Sequence, residues 1–155
     1  MRNFTPMKNF LLLAVAAFLM TSCVSDERRL ERELADIDAY IESTGLDFQP
    51  TGTGLYYHIE KEGNQNRIPD STNLVKFKHI GYLLDSTIFS SGWYVSGDIP
   101  LPALVQGFQE GLQIVGEGGR AVIVFPSNLG YGEEGASTVP EYSPLAFKVE
   151  LVSYY

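Results

Sequence analysis

The sequence predicts an α+β fold in which an antiparallel β-sheet wraps around one short α-helix, preceded by an N-terminal amphipathic helix. Apolar residues recur at helical spacing from Leu30 to Ile41. From Gly54 onward, short runs rich in β-branched and aromatic residues are separated by turn signals, and a single helical pattern opened by Pro102 interrupts them. Because the strands do not alternate with long helices, we do not expect a parallel sheet.

The first 22 residues have the order of a secretory signal peptide. Arg2 and Lys8 give a positive start, and Phe10 to Leu19 form an unbroken apolar run that ends shortly before Cys23. The run of about ten residues is well short of the roughly 20 that a transmembrane helix needs. We therefore predict a signal peptide over residues 1–22.

Cys23 is the only cysteine, which excludes an intrachain disulfide. Leu19 to Cys23 resembles a lipobox, in which a small residue precedes a cysteine that becomes acylated, although Met20 is a less usual choice at its position. We expect lipid on Cys23 to anchor the protein to a membrane of the bacterial cell envelope, facing the periplasm or the outer membrane, because several acyl chains bind membranes firmly. A soluble secreted form is the alternative.

The acidic balance of the chain excludes one class of partner. The signal peptide contains two of the eleven basic residues and none of the nineteen acidic ones, so its removal leaves a formal charge of −10. Nucleic acid is therefore not an expected partner. Residues 23–52 form an appendage that carries Cys23, and residues 53–155 suit a single domain with a sizeable core.

The appendage contains one predicted helix. Ser25 is a plausible N-cap residue, Gly45 marks the expected end, and between them lies an apolar stripe of Leu30, Leu34, Ile37 and Ile41. Its other face is almost wholly charged, so we interpret it as an acidic spacer that packs one edge on the domain or on a partner. A solvated connector and a dimer formed through the stripe are the other interpretations, and the oligomeric state stays open.

The domain is predicted to contain four main strands and one helix. Strands are expected at 55–59, 74–84, 121–125 and 146–152. In the second strand Val75, Phe77 and His79 share one face. In the helix opened by Pro102 the shared face is formed by Leu104, Phe108 and Leu112.

The sequence does not support a dinucleotide site, a zinc site or a serine hydrolase. Residues 130–135 spell G-x-G-x-x-G, but no strand leads directly into them and no helix opening follows, so we interpret them as a loop. His58 and His79 lack the neighbours that zinc spacing requires, and no G-x-S-x-G elbow is present. We expect neither a metal nor a cofactor.

Aromatic residues are instead concentrated at turns and element ends, where they are candidates for a binding pocket. They are Phe89, Trp93, Tyr94, Phe108, Tyr131, Tyr142 and Phe147. Five segments around them follow in a recognisable order: Gly81 with Phe89 to Ser91, then 105–112, 115–121, 125–132 and 147–151. Over about 80 residues this order resembles the FKBP-type peptidyl-prolyl isomerases. The signal peptide and spacer also resemble exported FKBP-type lipoproteins of Bacteroidetes-like bacteria, including some linked to gliding motility.

The resemblance implies an FKBP-like fold and an isomerase site that binds proline-containing segments of exported proteins. It implies that Phe108 forms the floor of the pocket and that Phe89, Val105 and Phe147 form its walls. Backbone groups of Leu104 and Val105 and the Tyr131 hydroxyl would hold the peptide. Val139 would cover the proline, and Trp93 or Tyr94 would add another wall.

Two positions depart from the family pattern. His79 stands where a tyrosine is usual, and Ser90 stands where an aspartate is usual. Histidine can titrate near neutral pH, and serine removes a carboxylate that shapes the pocket. We expect weakened catalysis and weak macrolide binding. Two functions are therefore open: an exported prolyl isomerase that assists folding, and a non-catalytic module for peptide binding or assembly.

Overall fold

The structure, a computed structural model, describes residues 7–92 and 97–155, with side chains from residue 26 onward. The described part contains two α-helices, seven strands and two 3-10 turns. In chain order these are α1 (Met7–Thr44), β1 (Gln49–Pro50), β2 (Tyr56–Lys61), β3 (Leu74–Leu83), β4 (Ile88–Gly92), β5 (Ile99–Pro100), the turn Leu101–Ala103, α2 (Gln106–Val115), β6 (Arg120–Phe125), the turn Ser127–Leu129 and β7 (Leu145–Tyr154).

Helix α1 begins before Ser25, so the predicted N-cap is wrong. The segment from residue 7 to residue 44 contains neither glycine nor proline, and nothing in it breaks the helix. The predicted end is confirmed, since Gly45 follows α1 with a φ of 65° that favours glycine. The chain divides into two compact units, one ending at Arg32 and one comprising Glu33–Tyr155. In the first unit Arg29 forms a 2.9 Å ion pair with Asp26.

The strands of the second unit form one antiparallel sheet, as the sequence predicts. Its order is β1, β2, β6, β7, β3, β4, and β5 pairs with the start of β3. The strands β3 and β7 pair along nearly their whole length, and Gly81 lies opposite Phe147. The strands β1, β4 and β5 are absent from the sequence prediction. β1 and β5 have only two residues each, and β4 ends in Ser90, Ser91 and Gly92, which are not typical of a strand.

One face of the sheet packs on α2 and forms the main core. Buried side chains from α2 include Phe108, Leu112 and Val115, and they meet Phe77, Ile123, Phe125 and Phe147 of the sheet. Helix α2 begins at Gln106 rather than at Pro102, so Leu104 is not on its apolar face. The reason is that Leu104 and Val105 have extended backbones, with ψ angles of 158° and 149°, and join the 3-10 turn to the helix.

The opposite face of the sheet is covered by the part of α1 that follows Arg32. Ile37 is fully buried against Val124 of β6 and Ala146 of β7, with Leu34 and Ile41 packed around them. Of the three interpretations of the apolar stripe, packing of one edge on the domain is therefore the one the structure shows for these residues. Within the described part of the chain, no helix has the length and apolar character needed to cross a membrane.

A close approach between α2 and β6 gives the first testable prediction. A Cβ atom on Gly107 would lie 2.5 to 2.7 Å from the ring of Phe125, which is fully buried. Alanine is the better helix former by about 1 kcal/mol, but overpacking a core costs about 1–3 kcal/mol. Because the clash is with a buried ring, we expect Gly107→Ala to lower the free energy of unfolding, measured by urea denaturation.

The matched control is Gly52→Ala, since a Cβ atom at Gly52 meets nothing within 4 Å. We expect this control to change the free energy of unfolding by less than about 0.5 kcal/mol. Equal stabilities for Gly107→Ala and the wild type would contradict the packing described above.

Candidate active site

A largely apolar cavity of about 290 Å³ opens between α2, the inner face of the sheet and the loop after β6. Its lining residues come from five separate segments of the chain. They are Phe77, His79, Ser90, Ile99, Ala103, Leu104, Val105, Phe108, Tyr131 and Phe147. Seven of the predicted site residues are therefore brought together: His79, Ser90, Leu104, Val105, Phe108, Tyr131 and Phe147.

Aromatic rings form the inner wall of the cavity. The ring of Phe108 lies 4.9 Å from that of Phe77 and 5.0 Å from that of Phe147, and the contact with Phe147 is nearly perpendicular at 86°. Phe147 also stacks on Phe125 at 5.8 Å. Edge-to-face pairs at these distances are favourable arrangements of aromatic side chains. The cavity therefore has a close-packed apolar wall, in which Phe108 is only 4% exposed.

Phe89 lies beside this wall and is not among the lining residues. Its ring meets Phe147 edge-on at 5.3 Å. Both rings pass over Gly81, where a Cβ atom would come within 2.7 Å of each. Glycine at this position lets the two rings pack against the strand, so Phe89 holds Phe147 in place instead of facing the cavity.

Val139 does not line the cavity. Val139 is 6% exposed and packs in the main core, because the turn formed by its backbone hydrogen bonds with Ala136 directs it inward. The sequence analysis expects Val139 to cover the proline, but the structure places it outside the lining. Trp93 and Tyr94 lie outside the described residues.

Polar groups around the cavity differ in their availability. The carbonyl oxygen of Leu104 accepts a 2.7 Å hydrogen bond from Gln109 Nε2, so that group is already engaged. In the described part of the chain the Val105 N–H has no hydrogen-bond partner, because the N-terminal N–H groups of a helix lack partners within it. Tyr131 is 37% exposed and lines the cavity. The Val105 N–H and the Tyr131 hydroxyl are therefore available to a peptide carbonyl.

His79 and Ser90 form a hydrogen-bonded pair in the lining. His79 Nε2 and Ser90 Oγ are 2.8 Å apart, and the imidazole contacts Phe108 edge-on at 5.8 Å. His79 Nδ1 is buried and has no partner among the described residues. Burial lowers the pKa of His79 below its usual value of 6.5. The imidazole is therefore neutral at neutral pH, and the departures at 79 and 90 are linked to each other.

The described lining contains no acidic or basic side chain besides His79 and Tyr131. Among the described residues, no group of three or more histidine, cysteine, aspartate or glutamate side chains is placed to hold a metal ion. The arrangement is suited to binding an apolar ring with one or two carbonyl groups.

Phe77, Ile99 and Ala103 line the cavity but are absent from the predicted site. Phe77 could be found from the sequence, since it shares a strand face with His79. Ile99 and Ala103 lie in a two-residue strand and a 3-10 turn, which have no periodic signal.

Comparisons with known proteins identify the family of the chain. Residues 65–152, more than half of the chain, match the sequence model of the family described as FKBP-type peptidyl-prolyl cis-trans isomerase. The chain belongs to this family.

Individual relatives extend the comparison. A probable FKBP-type peptidyl-prolyl cis-trans isomerase FkpA of Neisseria meningitidis is 37% identical over 105 residues, which are 66% of this chain and 38% of that protein. The crystal structure of FkpA from Escherichia coli matches with a TM-score of 0.70 and 23% identity, over 99% of this chain and 73% of that one. A peptidyl-prolyl cis-trans isomerase of Pseudomonas syringae has a TM-score of 0.70 and 25% identity, over 83% of this chain and 94% of that one. The chain spans less than half the length of the curated relative from Neisseria.

The neutral state of His79 predicts a pH dependence of stability. Because burial lowers the pKa in the folded state, the unfolded state takes up a proton first as the pH falls below 6.5. We expect the wild type to lose free energy of unfolding relative to His79→Phe between about pH 7 and about pH 5, measured by urea denaturation. Titrations shared by both proteins cancel in this comparison. Parallel pH profiles for the two proteins would show that His79 titrates normally.

Proposed function

We propose that this protein is a peptidyl-prolyl cis-trans isomerase that acts through an apolar aromatic pocket without a metal or a general base. The observation that carries the proposal is the closed aromatic wall of Phe77, Phe108 and Phe147 facing the free N–H of Val105 and the hydroxyl of Tyr131. Family membership over residues 65–152 supports the same activity.

The reaction requires rotation about a bond and breaks none. Rotating the bond before proline costs roughly 18–20 kcal/mol, because the planar amide loses its resonance. The twisted amide has less charge separation than the planar form, so an apolar pocket that excludes water favours it. In this proposal the rings of Phe108 and Phe147 hold the proline while the Val105 N–H and the Tyr131 hydroxyl bind carbonyl groups of the peptide.

A non-catalytic peptide-binding or assembly module is the second candidate. It is favoured by the pair of His79 and Ser90, which leaves the pocket without a carboxylate. Such a module would keep the apolar wall and bind proline-containing segments, but it would not speed their isomerisation. The two candidates differ in the rate at which the bound peptide isomerises and not in the affinity for the peptide.

An isomerisation assay on a proline-containing tetrapeptide separates the candidates. We expect a rate above background for the wild type, and a loss of roughly fivefold in kcat/KM for Tyr131→Phe, because one hydrogen bond is worth about 1 kcal/mol. Phe108→Leu should lower the rate further by removing the flat wall while keeping the position apolar.

The matched controls are Tyr82→Phe, which also removes a tyrosine hydroxyl, and Phe48→Leu, which also replaces a phenylalanine ring. Both residues pack in the cluster around Ile37, on the face of the sheet opposite the cavity. Both controls should keep the wild-type rate. If the wild-type rate equals background while the peptide binds measurably, the proposal of an isomerase is overturned and the peptide-binding module remains as the candidate.

We further propose that the protein is held to a membrane of the cell envelope by lipid on Cys23 and acts there on proline-containing segments of exported proteins. The charge and apolar order of residues 1–22, the lipobox-like residues before Cys23 and the resemblance to exported lipoproteins support this location. The formal charge of −10 that remains after residue 22 speaks against nucleic acid as a partner.

Metabolic labelling tests the anchor. In a bacterial host, the wild type should incorporate a labelled fatty acid and partition into detergent, whereas Cys23→Ser should do neither. Ser22→Ala is the control, since it keeps a small residue before the cysteine and should be labelled. An unlabelled wild type would exclude lipidation and favour the soluble secreted form.

A further inference from the structure

Glu33 is a buried acidic residue on the packed face of α1, one helical turn before Ile37. It is 6% exposed, while the neighbouring Glu31 is exposed. Both carboxylate oxygens accept hydrogen bonds from one residue: Oε2 from the Ser127 N–H at 2.7 Å and Oε1 from the Ser127 hydroxyl at 2.8 Å. Burying a carboxylate is costly unless it is well bonded, so these two charge-assisted hydrogen bonds fix its position.

Ser127 is the starting point of the loop that contains Tyr131. Its carbonyl oxygen accepts hydrogen bonds from the N–H groups of Gly130 at 2.8 Å and Gly132 at 2.9 Å, one on each side of Tyr131. All three polar groups of Ser127 are thereby used, two toward Glu33 and one toward the loop. A displacement of Ser127 would therefore move the backbone on both sides of Tyr131.

We propose that Glu33 is a positioning residue for the site: it acts through Ser127 to hold the Tyr131 hydroxyl at the cavity. The inference rests on the proposed isomerase function and adds to it a contribution from α1, which lies outside the matched segment 65–152. Glu33 does not line the cavity and touches no substrate in this proposal. Its effect on the reaction comes only from the geometry of the loop.

Two substitutions separate the hydrogen bonds from the packing. Glu33→Met keeps the length and volume of the side chain but removes both acceptors. Glu33→Gln keeps both bonds, because its carbonyl oxygen can accept from the Ser127 N–H while its amide donates to the hydroxyl. Glu31→Met introduces the same change at an exposed position and is the control.

The first measurement is kcat/KM, at a temperature well below the melting temperature of every variant. We expect Glu33→Met to lose up to roughly fivefold, the loss expected when the Tyr131 hydroxyl is removed, because a displaced hydroxyl no longer binds the peptide. Glu33→Gln should restore the rate, and Glu31→Met should not change it. Tyr131→Phe should cost much less in the Glu33→Met background than in the wild type, since the hydroxyl is already displaced there.

The second measurement needs no activity. Hydrogen exchange at the amides of Gly130 and Gly132 should be faster in Glu33→Met than in the wild type, Glu33→Gln and Glu31→Met. If Glu33→Met does not fold, Ser127→Ala removes one of the two bonds and serves in its place. Additive effects of Glu33→Met and Tyr131→Phe on the rate, or unchanged exchange, would overturn the proposal. If the wild type has no isomerase activity, the proposed function fails, and the exchange rates alone decide whether Glu33 orders the loop.

Discussion

The close approach of α2 to the sheet is the constraint on which the cavity depends. Gly107 and Gly111 present no side chain to β6, so the helix lies directly against Phe125 and Ile123. At this distance the ring of Phe108, one residue beyond Gly107, reaches the rings of Phe77 and Phe147. A helix held farther out by a Cβ atom would separate these rings, and the apolar wall would open to water. The packing of the fold and the chemistry of the site therefore share one cause.

The two faces of strands β6 and β7 pack against different parts of the molecule. Ile123 and Phe147 are paired on the inner face beside the cavity, while the next pair along the strands, Val124 and Ala146, faces outward and is covered by Ile37 of α1. Because side chains alternate across a strand, packing on one face fixes the register that positions the other. The part of α1 that follows Arg32 thus contributes to the geometry of this region although none of its side chains lines the cavity.

The sequence predicts the sheet and most of the cavity, because both leave periodic or family patterns. Alternation identifies β3, and the family pattern identifies Phe108 and Phe147 as pocket residues, whereas Phe77 of the same wall is missed. The sequence prediction is wrong or incomplete where tertiary contacts decide the conformation or the burial of a residue. Leu104 looks helical by spacing but is extended, since the 3-10 turn ends before α2 begins. Val139 is a loop residue whose burial depends on a local turn. By sequence Glu33 resembles the exposed charged residues around it, and its burial depends on a contact with Ser127, 94 residues away in the chain.

The pair of His79 and Ser90 changes the electrostatics of the pocket without opening it. A carboxylate in the lining would need a donor or a cation nearby to offset its burial. The imidazole and the hydroxyl satisfy each other at 2.8 Å, and the lowered pKa of His79 keeps the imidazole neutral at neutral pH. In the doubly protonated imidazolium Nδ1 would carry an N–H group, for which the described residues offer no acceptor. The cavity can therefore remain uncharged. In the proposed reaction this suits a transition state with less charge separation than the ground state, and the Val105 N–H and the Tyr131 hydroxyl would have to orient the peptide.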